Sequence, residues 1–191
     1  TQAAREAAAD RVAAETGGVL IHPYDNADII AGQGTVALEL LAEVPSLDAI
    51  IAPVGGGGLA SGICIAANSI DSNIRIFCAE PKGADDAARS LAAGKIVLNK
   101  SVDTIADGLR TNLGELTFPI LRDHLESIIT VSDEEIIAAM RLLWQRAKLL
   151  VEPSAAVPLA AVLSEPFRQV AGIESIGIVL SGGNVDLDVL P

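Results

Sequence analysis

Residues 47–62 read LDAIIAPVGGGGLASG: a continuous apolar run, four glycines and a segment of small residues. An apolar run without alternation is typical of a strand buried on both faces, as in a parallel sheet. Four successive glycines let backbone N–H groups converge without side-chain clash, and a following helix adds the positive end of its dipole. We therefore predict a strand, a phosphate-binding turn and a helix here, and we expect a bulky residue at Gly57 to fill the phosphate cradle.

Outward from this stretch, strand patterns and helix patterns alternate along the chain. Further strands are predicted within residues 73–81, 125–131 and 174–180, with a short one within 19–26; helices are predicted within residues 1–16, 34–44, 59–70, 82–94, 132–150 and 153–163. Ser132 and Glu135 have the spacing of a capping box at the start of one of these helices. The alternation predicts an α/β fold with a doubly wound, mostly parallel sheet.

The composition of the 191 residues excludes several classes of protein. Thirteen Lys and Arg against 25 Asp and Glu give a net charge of −12, which argues against nucleic-acid binding. Half of the residues are hydrophobic, so the chain can build a core. No apolar run approaches the roughly 18 residues of a membrane span, and two cysteines are too few for a disulfide framework. We expect a cytoplasmic protein that interacts with neither membranes nor nucleic acids.

The phosphate-binding turn by itself leaves the ligand open. Gly55, Gly57 and Ala60 fit the pattern Gly-x-Gly-x-x-Ala, and Glu80 ends the next predicted strand. In dinucleotide-binding domains an acid at such a position binds the ribose. An NAD-binding domain of an oxidoreductase is therefore one interpretation, and a non-catalytic α/β ligand-binding module is another.

Six segments, taken in order, resemble the serine/threonine dehydratase and serine racemase family of fold-type II pyridoxal 5'-phosphate (PLP) enzymes. They are HPYDN…IIAGQGT, VGGGGLASG, AEPKGADDA, TIADGLRTNLGELTFPI, LLVEPSA and VLSGGNVDL. The resemblance implies a large PLP-binding domain over residues 27–191 and a remnant of a small domain over residues 1–26. It also implies a homodimer that acts on a small amino acid, either racemising it or eliminating its β-hydroxyl to give a 2-oxo acid and ammonia.

The resemblance further implies which residues bind the cofactor. The glycine turn and the residue after it would hold the PLP phosphate through backbone N–H groups, and Ser181 would meet the pyridine nitrogen. The full set is Gly55, Gly56, Gly57, Gly58, Leu59, Gly108, Glu152 and Ser181. Tyr24 matches a variable family position near the cofactor. Glu152 also has a simpler interpretation, as a charge at the start of a helix.

Glu80, Ala84 and Asp86 offer two carboxylates and a loop carbonyl. Hard cations such as Mg²⁺, Ca²⁺ and Mn²⁺ take such oxygen ligands. Acidic pairs in loops are usually solvated, so the residues alone do not assign a metal site. The resemblance implies that a divalent cation binds to the two side chains and to the carbonyl of Ala84.

The Schiff-base lysine of the family lies upstream, in a Ser-Phe-Lys-type motif that this sequence lacks. The four lysines present are Lys82, Lys95, Lys100 and Lys148, the last of them inside a predicted helix. No catalytic residue is therefore assigned in this chain. We interpret the sequence as the C-terminal part of such an enzyme and expect it to be inactive alone.

Overall fold

The computed structural model describes residues 2–189. Its helices are α1 (Gln2–Thr16), α2 (Ala27–Gln33), α3 (Thr35–Glu43), α4 (Gly58–Ile70), α5 (Asp86–Ala93), α6 (Thr117–His124), α7 (Asp133–Leu142), α8 (Pro153–Leu163) and α9 (Glu165–Arg168), and its strands are β1 (Ala49–Pro53), β2 (Arg75–Pro81), β3 (Ser127–Val131) and β4 (Ile176–Ile178). Single 3₁₀ turns lie at Lys82–Ala84, Asp107–Leu109 and Leu187–Val189, and a π-helical turn lies at Leu143–Ala147. Within residues 2–189, no helix combines the length and the apolarity that a membrane crossing needs.

The four strands form one parallel sheet in the order β3-β2-β1-β4. At the centre of the sheet, Ile51 of β1 is in register with Phe77 on one side and Ile178 on the other. Every residue of β1 is buried, as its continuous apolar run predicted. The parallel α/β sheet is therefore confirmed.

Helices cover both faces of the sheet. Because successive side chains of a strand point to opposite faces, neighbouring residues of one strand belong to different cores. Ile51 and Phe77 belong to a core shared with α7, α8 and α9, whereas Ile50 and Ile76 belong to a core shared with α3, α4 and α6. In the first core, the rings of Phe77 and Phe167 meet edge to face with their centroids 5.3 Å apart. These two layers make the fold doubly wound, as predicted.

The capping box at the start of α7 is confirmed. Ser132 Oγ accepts the N–H of Glu135 at 3.4 Å, and the Glu135 carboxylate accepts the N–H of Ser132 at 2.7 Å. The helix ends earlier than predicted: after the π-helical turn, Lys148 adopts φ 60° in the left-handed region. Trp144 Nε1 donates to the carbonyl of Val151 at 3.0 Å, and this hydrogen bond ties the segment after the helix back to its last turn. Lys148 therefore lies beyond the helix and not inside it.

The short strand predicted within residues 19–26 is wrong. Val19, Leu20 and Ile21 lie in irregular backbone with 89%, 54% and 64% of their surface exposed. An apolar run with β-branched residues becomes a strand only where a neighbouring strand pairs with it, and no strand within the described residues pairs with this segment.

Three short helices, α2, α6 and α9, were not predicted. The chain does carry a signal for α2, because Asn26 Oδ1 accepts the N–H groups of Asp28 and Ile29 at 2.9 and 3.2 Å as an N-cap. Helices of four to eight residues such as α6 and α9 are too short for their periodicity to stand out from the background.

Candidate functional site

A cavity of about 350 Å³ opens where the carboxyl ends of β1 and β4 meet the N-terminus of α4. Ligands of open α/β sheets bind at such strand ends. The lining includes most of the residues predicted for the cofactor: Gly55, Gly56, Gly57, Gly58, Leu59, Gly108 and Ser181. The glycine turn and the turn after β4, which are far apart in sequence, thus contribute to one cavity.

The glycine turn leads into α4 and leaves its N-terminus without a side-chain cap. Gly57 occupies the N-cap position with φ 91°, which glycine adopts without steric cost. At two other helices a carboxylate accepts such N–H groups: Glu80 accepts two in the first turn of α5, and Asp25 accepts two just before α6. An uncapped helix N-terminus beside a cavity favours an anion.

Close packing behind the turn also requires glycine. A Cβ built at Gly56 would lie 2.4 Å from the ring of Tyr24, and one at Gly58 would lie 2.8 Å from the Cβ of Tyr24. A Cβ at Gly57 would lie 2.8 Å from the Cβ of Thr117. A larger residue at Gly57 would therefore push the turn away from Thr117, which corrects the expectation that its side chain would fill the cradle.

Ser181 is exposed and lines the cavity, whereas Glu152 lies behind the Ser181 turn. The Glu152 carboxylate accepts the N–H of Asn184 at 2.9 Å, and the Glu152 N–H donates to the carbonyl of Gly182 at 3.2 Å. A Cβ at Gly108 would lie 3.8 Å from a carboxylate oxygen of Glu152. Glu152 thus adjoins one lining residue, Gly108, and supports the turn that follows Ser181, but it is not itself part of the described lining.

Arg5 and Thr111 are among the lining residues that the sequence patterns did not single out. Arg5 comes from α1 and is the one cationic side chain in the described lining. Nothing in the sequence marks it, because α1 is an exposed helix with scattered charges. None of the four lysines belongs to the described lining.

The two acids predicted for a metal are both fully buried, Glu80 near the end of β2 and Asp86 at the start of α5. The Glu80 oxygens accept N–H groups of α5 at 2.9 and 3.0 Å. Asp86 accepts from Asn99 Nδ2 at 2.7 Å and from the N–H of Leu113 at 2.9 Å. Each carboxylate oxygen has two lone pairs, so these contacts leave room for a further ligand on either side chain.

Burial disfavours the charged form of both acids. It raises the pKa of Glu80 to about 8, and the nearby negative charge of Asp86 adds to that rise. Burial also raises the pKa of Asp86 to about 6, although hydrogen bonds from Leu113 and Asn99 oppose the change. Within residues 2–189, no three His, Cys, Asp or Glu side chains cluster as metal ligands, so a cation here would need the carbonyl of buried Ala84 as well.

The position of Glu80 argues against the dinucleotide interpretation. That interpretation needs an exposed carboxylate to accept the hydroxyl groups of a ribose. Glu80 is fully buried, lies outside the described cavity lining and has both oxygens bonded to α5. An NAD-binding domain is therefore not favoured.

Comparison with known proteins identifies a matching family model and curated relatives. The family model described as pyridoxal-phosphate dependent enzyme matches residues 1–182. A curated relative, serine racemase of Oryza sativa subsp. indica, is 54% identical over 189 residues, which cover 97% of this chain and 56% of the relative. The beta-hydroxyaspartate dehydratase of Paracoccus denitrificans is 46% identical over 187 residues, which cover 98% of this chain and 59% of that protein.

The fold has a counterpart among solved structures. The structure of maize serine racemase matches with a TM-score of 0.94 and 53% identity, over 96% of this chain and 57% of that one. The chain thus spans a little over half the length of the relatives that it matches.

Proposed function

Because this chain belongs to the pyridoxal-phosphate-dependent enzyme family, we propose that it binds PLP in the cavity at the end of β1. Within the whole protein it would serve a serine racemase or a dehydratase of β-hydroxy amino acids, the activities named for its relatives. Both reactions begin with loss of the proton on the α-carbon; the dehydratase also releases the β-hydroxyl and yields a 2-oxo acid and ammonia. PLP supplies the electron sink that makes the α-proton acidic.

The observation that carries this proposal is the uncapped N-terminus of α4 at the cavity. The residues proposed to hold the phosphate are the four glycines Gly55–Gly58 and Leu59. Their backbone N–H groups and the helix dipole together suit a phosphate dianion.

Ser181 and Gly108 are proposed to face the ring of the cofactor, and Glu152 is proposed to lie close to the ring, behind the Ser181 turn. Ser181 offers a neutral hydroxyl to the ring nitrogen, so it does not favour a protonated ring as a carboxylate would. Gly108 and Glu152 adjoin each other beside the cavity, and Glu152 holds the turn that carries Ser181. These contacts would fix the plane of the ring relative to its phosphate.

Two further roles are binding of the substrate carboxylate and covalent attachment of PLP. The guanidinium of Arg5 is proposed to attract the carboxylate of the amino-acid substrate, since it is the cation of the described lining. Covalent attachment of PLP needs an amine at the cofactor. Because none of Lys82, Lys95, Lys100 and Lys148 belongs to the described lining, we propose that this amine comes from sequence outside these residues.

A divalent cation, Mg²⁺, Ca²⁺ or Mn²⁺, is proposed at Glu80, Asp86 and the carbonyl of Ala84. Support comes from two buried carboxylates, of which Asp86 adds to the cost of ionising Glu80. A cation between them would remove that cost, and oxygen ligands suit a hard ion. The homodimer, the cytoplasmic location and the division between residues 1–26 and 27–191 stay predictions.

Calorimetric titration of the purified protein with PLP, inorganic phosphate and NADH tests the proposed cofactor. We expect PLP and phosphate to bind and NADH not to bind. Gly57→Ala should weaken both PLP and phosphate by about tenfold or more, because the turn must shift away from Thr117.

Gly172→Ala is the matched control for this experiment. Gly172 also has a positive φ, 74°, but a Cβ there would meet nothing within 4 Å. The control therefore also places a side chain at a positive φ but causes no clash like the one with Thr117, and it should bind PLP like the wild type. Binding of NADH, or of neither phosphate compound, would reject the proposal.

A further inference from the structure

Thr117 lies directly behind the glycine turn and is fully buried. Its Oγ1 donates to the carbonyl of Gly56 at 2.7 Å and accepts the N–H of Gly114 at 2.9 Å. The same Gly114 N–H lies 3.3 Å from the Gly56 carbonyl oxygen. One carbonyl of the turn is thus held from behind by a hydroxyl and an amide.

The hydrogen bond to Gly56 also sets the direction of the next N–H group. The peptide between Gly56 and Gly57 is trans, because the described residues contain no cis peptide. In a trans peptide the carbonyl and the N–H point in opposite directions. With the Gly56 carbonyl directed at Thr117, the N–H of Gly57 is directed away from Thr117, and Gly57 itself lines the cavity.

We propose that Thr117 is a positioning residue for the anion site: its hydroxyl holds the Gly56–Gly57 peptide in the orientation that presents the Gly57 N–H to a phosphate. This inference rests on the proposed function, since it assumes that the cavity binds the phosphate of PLP. It adds a residue outside the glycine turn, 61 positions along the chain from Gly56, to those that determine phosphate affinity.

Two carboxylates hold the segment that carries Thr117, independently of its hydroxyl. Asp86 accepts the N–H of Leu113 at 2.9 Å. Asp25 accepts the N–H groups of Glu115 and Leu116 at 3.0 and 2.8 Å. Removing the Thr117 hydroxyl should therefore leave the Gly56 carbonyl with only the Gly114 N–H at 3.3 Å, without displacing the segment, which makes a substitution at Thr117 informative.

The experiment compares Thr117→Val, which keeps the shape of the side chain, with Thr117→Ser, which keeps its hydroxyl. Affinities for inorganic phosphate, PLP and pyridoxal are measured on the purified protein. Thr117→Val should weaken phosphate and PLP by about tenfold, leave pyridoxal unchanged and keep the cooperative unfolding transition. Thr117→Ser should stay within about twofold of the wild type.

The outcomes separate the two proposals. If the wild type binds neither phosphate nor PLP, the proposed function fails and this inference fails with it. If the wild type binds both and Thr117→Val binds them equally well, only the role of Thr117 is rejected. Equal losses for PLP and pyridoxal would also reject it, because they would indicate general damage to the cavity.

A measurement on the wild type covers the case in which Thr117→Val does not fold. In protein labelled with ¹⁵N-glycine, added inorganic phosphate should shift the amide proton of Gly57 strongly. Gly172, whose surroundings are open, should not respond. A Gly57 resonance that does not move while phosphate binds would overturn the inference.

Discussion

The ring of Tyr24 lies flat against the backbone of Gly56, so that a Cβ built on Gly56 would stand 2.4 Å from three atoms of the ring. His22 also contacts the ring of Tyr24: the two rings meet edge to face with their centroids 4.5 Å apart, and His22 Nδ1 accepts the N–H of Asp25 at 2.8 Å. The glycine turn and the turn at Tyr24 therefore fit each other as a pair.

This fit predicts that Gly56→Ala lowers the free energy of unfolding by about 1–3 kcal/mol, because one methyl group must displace the ring or the turn. Tyr24→Ala in the same chain should recover part of the loss, with a coupling of about 0.5–3 kcal/mol in a double-mutant cycle. Urea denaturation of the wild type, the two single variants and the double variant measures this coupling energy.

Gly32→Ala is the matched control for Gly56→Ala. Gly32 lies inside α2, and a Cβ there would meet nothing within 4 Å. This substitution should raise the stability by about 0.5–1 kcal/mol, since alanine favours a helix over glycine. If Gly56→Ala and Tyr24→Ala change the free energy of unfolding additively, the contact between the ring and Gly56 does not contribute to stability, and the prediction is wrong.

Ser181→Ala should weaken PLP about threefold to tenfold, the usual effect of losing one neutral hydrogen bond. Inorganic phosphate, which has no ring nitrogen, should bind to the variant as it does to the wild type. Calorimetric titration with both ligands measures the two affinities. If the affinity for phosphate falls as much as that for PLP, Ser181 acts on the phosphate-binding turn and not on the ring of the cofactor.

The acid pair predicts a stability that depends on pH and on divalent cations. Burial raises the pKa of Glu80 to about 8 and that of Asp86 to about 6, so the folded chain retains protons that the unfolded chain has lost. The stability from these groups is present below about pH 4 and is lost as pH rises through about 6 and about 8. Without cations, the melting temperature should fall over this range.

Mg²⁺ should remove much of this pH dependence, because a cation replaces the protons at the two carboxylates. Thermal melts at about pH 6 and about pH 8, with Mg²⁺ or with a chelator, measure the effect. Asp86→Asn should abolish the response to Mg²⁺. The control is Asp85→Asn, since Asp85 is paired with Arg89 at 2.7 Å and is not a proposed ligand; a response that Asp86→Asn preserves would reject the cation site.

The central part of the site could be predicted from the sequence because its signals are local. A core strand of a parallel sheet is apolar throughout, and a phosphate turn shows as consecutive glycines, so β1, the turn and α4 were recognisable from residues 47–62. The capping box of α7 depends on two residues three apart, and it was predicted for the same reason.

The parts of the site that the sequence did not predict depend on contacts between residues far apart in the chain. The hydrogen bond from Thr117 joins positions 61 residues apart, and no spacing rule encodes such a pair. Arg5 reaches the cavity from a helix with no distinctive pattern. Glu80 was placed correctly at a strand end, but its complete burial under α5 follows from packing, which the sequence pattern does not specify.

Ser61, on α4, carries a fully buried hydroxyl that has no hydrogen-bond partner within the described residues. Burying a hydroxyl without a partner costs about 1–3 kcal/mol, and alanine is also the better helix former. Ser61→Ala should therefore raise the free energy of unfolding by about 1 kcal/mol or more, measured by urea denaturation.

Ser69→Ala, on the same helix, separates the effect of burial from that of helix propensity. Ser69 is exposed, and its hydroxyl donates to the carbonyl of Ala66 at 2.7 Å. The chemical change is the same at both positions, so helix propensity contributes equally, and Ser69→Ala should stay within about 0.5 kcal/mol of the wild type. If Ser61→Ala instead lowers the stability, the Ser61 hydroxyl has a buried partner, such as a water molecule, whose loss outweighs the gain in helix propensity.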